Sequence, residues 1–278
     1  MGGGAPVMGL LRAELRKTTS TRLWWGLFIP AGLLSVLINV FGGLFTAAIP
    51  AEDGRLPLLI GSLAYALGLT TVFSMVQGIV SAASEFRHRT ITTTYVTSAR
   101  RSLVLLAKMA TSAVVGMVYA LATVVLGVLA GLVGEAGSAF PTTGALLAVT
   151  LIGMAVSALW GALGAALGTA VSNQVSALVG ALVYVLLGEL LISTLLRNAD
   201  SLDVRRLSAY LPGNAGDVAI YDIPARVLAG PDIGTVVVET LANVTAPPPW
   251  WGALLVLTAW TAAVAATAWV VADRRDVT

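Results

Sequence analysis

Six long apolar runs constrain the fold of this chain more than any other feature of its sequence. They cover residues 23–45, 56–83, 102–133, 143–171, 175–196 and 251–272. A transmembrane helix needs about 20 mostly apolar residues, and every run is that long. Charged residues make up only 11% of the 278 residues, against about 25% in soluble domains, so the chain lacks the polar surface that water requires. The sequence therefore predicts an all-α polytopic membrane protein with six transmembrane helices.

Several kinds of chemistry find no support in the sequence. The chain has no cysteine and one histidine, His88, which argues against a disulfide framework and a Cys/His metal site. Its two lysines, Lys17 and Lys108, do not follow the glycine frame of an ATP-binding phosphate loop. We also find no acid–base pair or nucleophile set. We therefore expect no enzyme, no catalytic, cofactor-binding or metal-binding residue, and no nucleic-acid partner.

The distribution of basic residues predicts the orientation in the membrane. If the N-terminus is cytoplasmic, eleven of the sixteen Lys and Arg residues lie in or beside the inner segments. An excess of Lys and Arg marks the cytoplasmic side. We therefore expect a plasma-membrane protein of bacterial type with both termini in the cytoplasm. The first apolar run exceeds the 7–15 residues of a signal-peptide core, so we expect it to remain as an uncleaved span.

The segment before the first span, residues 1–22, predicts an interface helix. Apolar side chains recur at helical spacing in residues 8–22, at Met8, Leu11 and Leu15. Such a helix lies in the membrane interface with its cationic face toward anionic lipid. Simple anchoring of the topology explains the same charges equally well. The basic residues on the other helix faces are Arg12, Arg16 and Lys17.

A polar segment, residues 84–101, separates the second and third spans and carries the strongest functional signal. Ser84 is suited to cap a following helical turn, and Glu85 suits the first turn of that helix. A short, capped, cationic element of this kind could dock in a groove of a cytoplasmic partner. Ordinary positive-inside anchoring is the alternative, but it leaves Glu85 and the threonines unexplained. The candidate docking residues are Glu85, Arg87, His88, Arg89, Thr90, Thr92, Thr93 and Thr94.

Polar and small residues inside the spans predict how the helices pack. Asn39 and Gln77 are expected to form hydrogen bonds between helices. Glycines in the third and fourth spans, among them Gly161, Gly164 and Gly168, predict close helix–helix contact.

Glu189, in the fifth span, is the clearest ionisable residue within an apolar run. A carboxylate there is costly unless it is protonated, paired or facing water. It could contact a substrate or cation in an outer vestibule. It could instead serve a structural role, through a hydrogen bond or through pairing with Arg197. The sequence alone leaves both interpretations open.

Residues 197–250, between the fifth and sixth spans, are too many for an ordinary connection. Their pattern predicts short extracellular helical or partly re-entrant segments rather than a soluble domain. Pro212-Gly213-Asn214 reads as a turn signal.

The order of these motifs resembles the membrane subunit of ABC-2 type transporters, which are exporter permeases with six spans. The polar segment runs from Glu85 toward Thr90, continues to Ser98-Ala99-Arg100, and is followed by Lys108 early in the third span. An interface helix precedes the first span, and a Tyr210-Leu-Pro-Gly213 turn lies between spans five and six. Arg89 stands where the family often has glycine.

The resemblance implies a role, partners and site residues. The chain would form the substrate path as a homo- or heterodimer, surrounded by lipid, with two separate ATPase subunits that bind ATP and Mg²⁺. Segment 84–101 would couple it to the ATPase. Glu189, Tyr210 and Pro212 are candidates for the substrate path or gate. An ion-gradient-driven carrier that uses Glu189 is the alternative function.

Overall fold

The structure, a computed structural model, describes residues 4–47, 57–87, 101–134 and 139–274, and these residues form helices without any β-strand. The first half of the chain holds α1 (Gly4–Ser20), α2 (Leu23–Ala47), α3 (Leu59–Arg87), α4 (Arg101–Gly134) and α5 (Thr143–Val171). The second half holds α6 (Gln174–Val183), α7 (Glu189–Arg197), α8 (Leu202–Arg206), α9 (Pro212–Leu241) and α10 (Trp250–Arg274).

Within the described residues, six helical stretches are long and apolar enough to cross a membrane, as the sequence predicted. Each begins and ends within a few residues of a predicted span. The fifth is not one regular α-helix, because a π-helical turn at Tyr184–Gly188 joins α6 to α7. The six stretches are Leu23–Gly42, Leu59–Glu85, Ser102–Val133, Thr143–Val171, Gln174–Arg197 and Trp250–Arg274.

Helices α3, α4 and α5 form the centre of the bundle, where small residues bring backbones into contact. A Cβ on Gly164 would collide with the carbonyl oxygen of Met75 in α3. A Cβ on Gly161 would collide with the carbonyl oxygen of Ser112 in α4. The predicted glycine face of α5 therefore packs against two neighbouring helices at once. Such close approach gains van der Waals contact, which drives helix association where lipid is as apolar as the side chains.

The two polar residues expected between helices behave differently. Ser62 of α3 donates a hydrogen bond to Oδ1 of Asn39 in α2 at 2.8 Å, so Asn39 joins two helices as predicted. Gln77 is fully buried in α3, and neither of its amide atoms has a hydrogen-bond partner in the described part of the chain.

Residues 197–250 form successive helical segments, and one of them is longer than the short segments that the sequence predicted. A short α8 and a 3₁₀ turn, Leu207–Tyr210, lead into α9, a 30-residue stretch in which two helices meet at a kink at Gly230, where φ is 77°. Pro212-Gly213-Asn214 is not a turn but the first turn of α9. Proline is favoured at the first helical position because its fixed φ suits a helix and its missing N–H would have had no partner there.

Candidate functional site

Four charged side chains from α1, α3 and α4 form a closed ring at one end of the bundle. Nζ of Lys17 lies 2.7 Å from Oε1 of Glu14 and 3.0 Å from Oε1 of Glu85. Nζ of Lys108 lies 3.0 Å from Oε2 of Glu14 and 2.6 Å from Oε1 of Glu85. Each lysine thus bridges both glutamates. We call these four residues the charged ring.

Helical geometry explains why the ring forms at this place. Glu14 and Lys17 are three residues apart, so they lie on one face of α1. Glu85 lies near the end of α3, and Lys108 lies two turns into α4. The ring therefore ties α1 to both helices that flank residues 88–100.

The ring is largely withdrawn from water. The side chains of Lys108, Glu14 and Glu85 are 3%, 4% and 9% exposed, whereas Lys17 is 48% exposed. Buried charges lose hydration, and only good pairing geometry offsets that cost. Partial burial would lower the pKa of Lys17, but hydrogen bonds to Glu14 and Glu85 outweigh burial and raise that pKa above its usual 10.5. Lys17 therefore stays charged at physiological pH.

Helix α1 docks through a polar face, which the sequence reasoning did not foresee. Glu14 and Thr18 are buried, while Met8 and Leu15 are 55% and 42% exposed. The apolar face is thus free to contact lipid while the charged ring holds the other side. Of the predicted interface residues, Lys17 joins the ring, and Arg12 and Arg16 are exposed. Glu14 could have been found as the one acidic residue in this basic segment.

Of the predicted docking residues, the structure describes only Glu85 completely. Ser84 and Glu85 do not begin a new helix, because α3 continues to Arg87. An acidic residue at a helix C-terminus is normally unfavourable, and two lysines offset this for Glu85. The side chain of Arg87 lies outside the described residues, as do His88, Arg89, Thr90, Thr92, Thr93 and Thr94.

Two cavities lie side by side along the fifth span, and both have Trp160 and Val185 in their walls. The first, of about 360 Å³, is almost wholly apolar and lies among α3, α5, α6 and α10. The second, of about 290 Å³, holds Glu189 and Asp217 in its wall. We call them the apolar cavity and the acidic cavity. The π-helical turn, a feature frequent at functional sites, lies where they meet.

Glu189 has a structural role at the start of α9. The backbone N–H of Asn214 donates a hydrogen bond to Oε1 of Glu189 at 2.8 Å. Leu211, at the N-cap position of α9, has no side-chain acceptor, so Glu189 supplies one from another helix. A Cβ at position 213 would lie 2.8 Å from the carboxyl carbon of Glu189, which explains the glycine there. Arg197 binds Asn243 instead of Glu189.

Asp217, which the sequence reasoning missed, lies one turn further along α9. A Cβ on Gly68 would lie 2.8 Å from Oη of Tyr221 and 3.5 Å from Oδ1 of Asp217, so the three groups are close together. Helix α9 is not one of the six candidate spans. Burial raises the pKa of Asp217 to about 7, and the charge of Glu189 adds to the rise. The helical spacing from Gly213 could have indicated that Asp217 shares the face next to Glu189.

The three predicted gate residues occupy different places. Glu189 lines the acidic cavity and Pro212 the apolar cavity. The side chain of Tyr210 is 47% exposed and lines neither cavity, while its carbonyl oxygen accepts a hydrogen bond from Nε1 of Trp260 at 2.9 Å.

No family model matches the sequence, and the search of curated proteins found no match.

Proposed function

We propose that this chain is the permease subunit of an ATP-driven exporter of the ABC-2 type. It works as a dimer in the plasma membrane and receives its energy from a separate ATPase subunit. Six apolar helical stretches and the order of the sequence motifs support this class.

The charged ring is the observation that carries the proposal. An energy-accepting permease needs a rigid link between its cytoplasmic surface and its spans. The ring joins the interface helix α1 to α3 and α4, the two helices on either side of the candidate docking segment. A push on that segment would therefore move α1, α3 and α4 together, because separating the paired charges in a poorly hydrated place is costly.

The two cavities supply a candidate path for the cargo. They run along the fifth span, next to helices that expose apolar side chains to their surroundings. In that span only 17% of the most apolar stretch is buried within the chain, against 61% for the span formed by α3. This exposed surface suits lipid or the second subunit of the proposed dimer.

Reconstitution tests the proposal directly. The chain is placed in liposomes with and without the ATPase subunit of the same transport system, and export is measured with ATP or with an imposed proton gradient. We expect export only with ATPase and ATP. Transport by this chain alone in a proton gradient would overturn the proposal.

A matched pair of variants tests where the energy enters. Arg87→Glu should leave ATP hydrolysis running but abolish export, because it reverses a charge in the proposed docking segment. Arg206→Glu makes the same charge change in α8, whose Arg206 side chain is 51% exposed. It should export normally. Equal behaviour of the two variants would place the docking surface elsewhere.

An ion-gradient-driven carrier is the second candidate function, and the two carboxylates of the acidic cavity favour it. Carriers use membrane-embedded acids as proton or cation sites. Under that function Glu189→Gln abolishes transport, since the titrating group is lost. Under the exporter function, transport by the variant still depends on ATP whatever its rate, because the energy does not enter through Glu189, and a glutamine amide oxygen still accepts the hydrogen bond from Asn214.

A further inference from the structure

The acidic cavity contains two carboxylates and no basic side chain among its described lining residues. Arg197 is held at its rim by Asn243. Neither Glu189 nor Asp217 forms an ion pair within the described ranges. Two acids in a poorly hydrated cavity repel each other and lose hydration, so the cavity favours a bound positive charge.

Glu189 supplies a separate indication that the cavity receives a ligand. The residue is only 3% exposed, and its Oε1 accepts a hydrogen bond from Asn214. Its buried Oε2 has no well-aligned hydrogen bond among the described residues and faces the backbone of Gly213, so the negative charge of Glu189 is incompletely compensated. The N-terminus of α9 offsets part of the charge of Glu189. Asp217 has no such neighbour.

The walls and the volume of the cavity indicate what carries the positive charge. The rings of Tyr65, Trp160 and Tyr221 line the cavity, and aromatic faces attract organic cations. Its volume of about 290 Å³ is close to ten times the roughly 30 Å³ that one water occupies in the liquid, so it is too large for a bare metal ion. The apolar cavity lies beside it, with Trp160 and Val185 in the walls of both, which places space for an apolar body next to the carboxylates.

We propose that the acidic cavity binds an organic cation, such as a quaternary or protonated amine, whose apolar part extends into the apolar cavity. The positive charge lies between Asp217 and Glu189 and against the aromatic rings. This inference rests on the proposed function in one respect, namely that the bound cation is the cargo.

Binding to the purified chain alone tests the inference without any ATPase. Phenyltrimethylammonium and tert-butylbenzene have almost the same shape, but only the first is charged. Because its nitrogen is quaternary, it carries no N–H, and any preference for it reflects charge and not hydrogen bonding. We expect equilibrium dialysis at pH 8 to show saturable binding of the cation at least tenfold tighter than that of the neutral compound. Equal binding of the two compounds would overturn the inference, because the cavity would then select only for apolar shape.

Two variants that remove one negative charge each locate the binding. Asp217→Asn should weaken binding of the cation at least tenfold and leave tert-butylbenzene unchanged. Asp203→Asn, whose side chain is 90% exposed in α8, should change neither. Retained cation binding by a folded Asp217→Asn protein would overturn the inference. If the original protein binds the cation but shows no ATP-driven export in any preparation, the cation site is supported and the exporter function is refuted.

A competition experiment distinguishes a site for organic cations from a site for inorganic ions. Bound phenyltrimethylammonium should resist a large excess of Na⁺ or K⁺, and LiCl, NaCl and KCl at one ionic strength should all have the same small effect. Displacement by Na⁺ at equal ionic strength would identify an inorganic cation site and would overturn the proposed ligand class.

Discussion

Glu14 in α1 binds Lys108 in α4 at 3.0 Å, although the two residues are 94 positions apart in the chain. This contact ties a helix that precedes the first span to the beginning of the third. Both side chains are at least 96% buried. Helix α1 is therefore an integral part of the bundle.

Removing Glu14 should destabilise the protein strongly. Glu14→Ala leaves Lys108 buried with one carboxylate instead of two, and breaking a buried ion pair costs about 3–5 kcal/mol. We expect a clearly lower thermal unfolding temperature in detergent micelles. Arg16→Ala, an exposed position on the same helix, should stay within about 0.5 kcal/mol of the original protein. Similar effects of the two changes would mean that the ring contributes little.

Glu189 should prove more important as a helix cap than as a charge. Glu189→Ala removes the acceptor for the N–H of Asn214, and losing a helix cap costs about 0.5–2 kcal/mol. Glu189→Gln keeps an acceptor, so we expect its unfolding temperature to lie near that of the original protein. The measurement is thermal unfolding of both variants. A glutamine variant as unstable as the alanine variant would show that the charge itself supports α9.

Asp217 should make stability depend on pH. Its pKa in the folded protein is raised to about 7 from a usual 3.8, so folding is most favourable while the group is protonated. This contribution is complete below about pH 4 and is lost as the pH rises through 7. The other titratable groups around the cavity are Glu189, Tyr65 and Tyr221.

We expect thermal stability to fall between pH 5 and pH 8 and Asp217→Asn to flatten that fall. Asp203→Asn controls for the loss of a carboxylate and should keep the original profile. The profiles are recorded in detergent without added ligand. An unchanged profile in the Asp217→Asn protein would assign the pH dependence to another group.

The glycine face of α5 should tolerate no added bulk. A Cβ on Gly164 meets the backbone of Met75, which cannot move without shifting α3. We expect Gly164→Leu to prevent stable folding and to lower the yield of monodisperse protein in size-exclusion chromatography. Gly144→Leu is the matched control near the start of the same helix, where a Cβ meets nothing within 4 Å. It should behave like the original protein.

Much of the helical framework could be predicted because a single physical signal encodes it. Apolar runs of membrane length placed all six spans, and the glycines at 161 and 164 indicated where backbones meet. The start of α9 could not be predicted in this way. Pro212-Gly213 also suits a turn, and the acceptor for the N–H of Asn214 in the first turn of α9 is the carboxylate of Glu189, which comes from a different helix.

The sequence by itself determined which segments leave water, because hydrophobic length is a local property of the chain. It also singled out Glu85 and Glu189 as unusual charges and placed Lys17 among the basic residues of the first helix. Only the tertiary structure decided their partners. Glu14 joins Lys17, Lys108 and Glu85 across three helices, and Asp217 comes to lie beside Glu189 in one cavity. Charges interact over a few ångströms in space, and sequence separation carries no information about that distance.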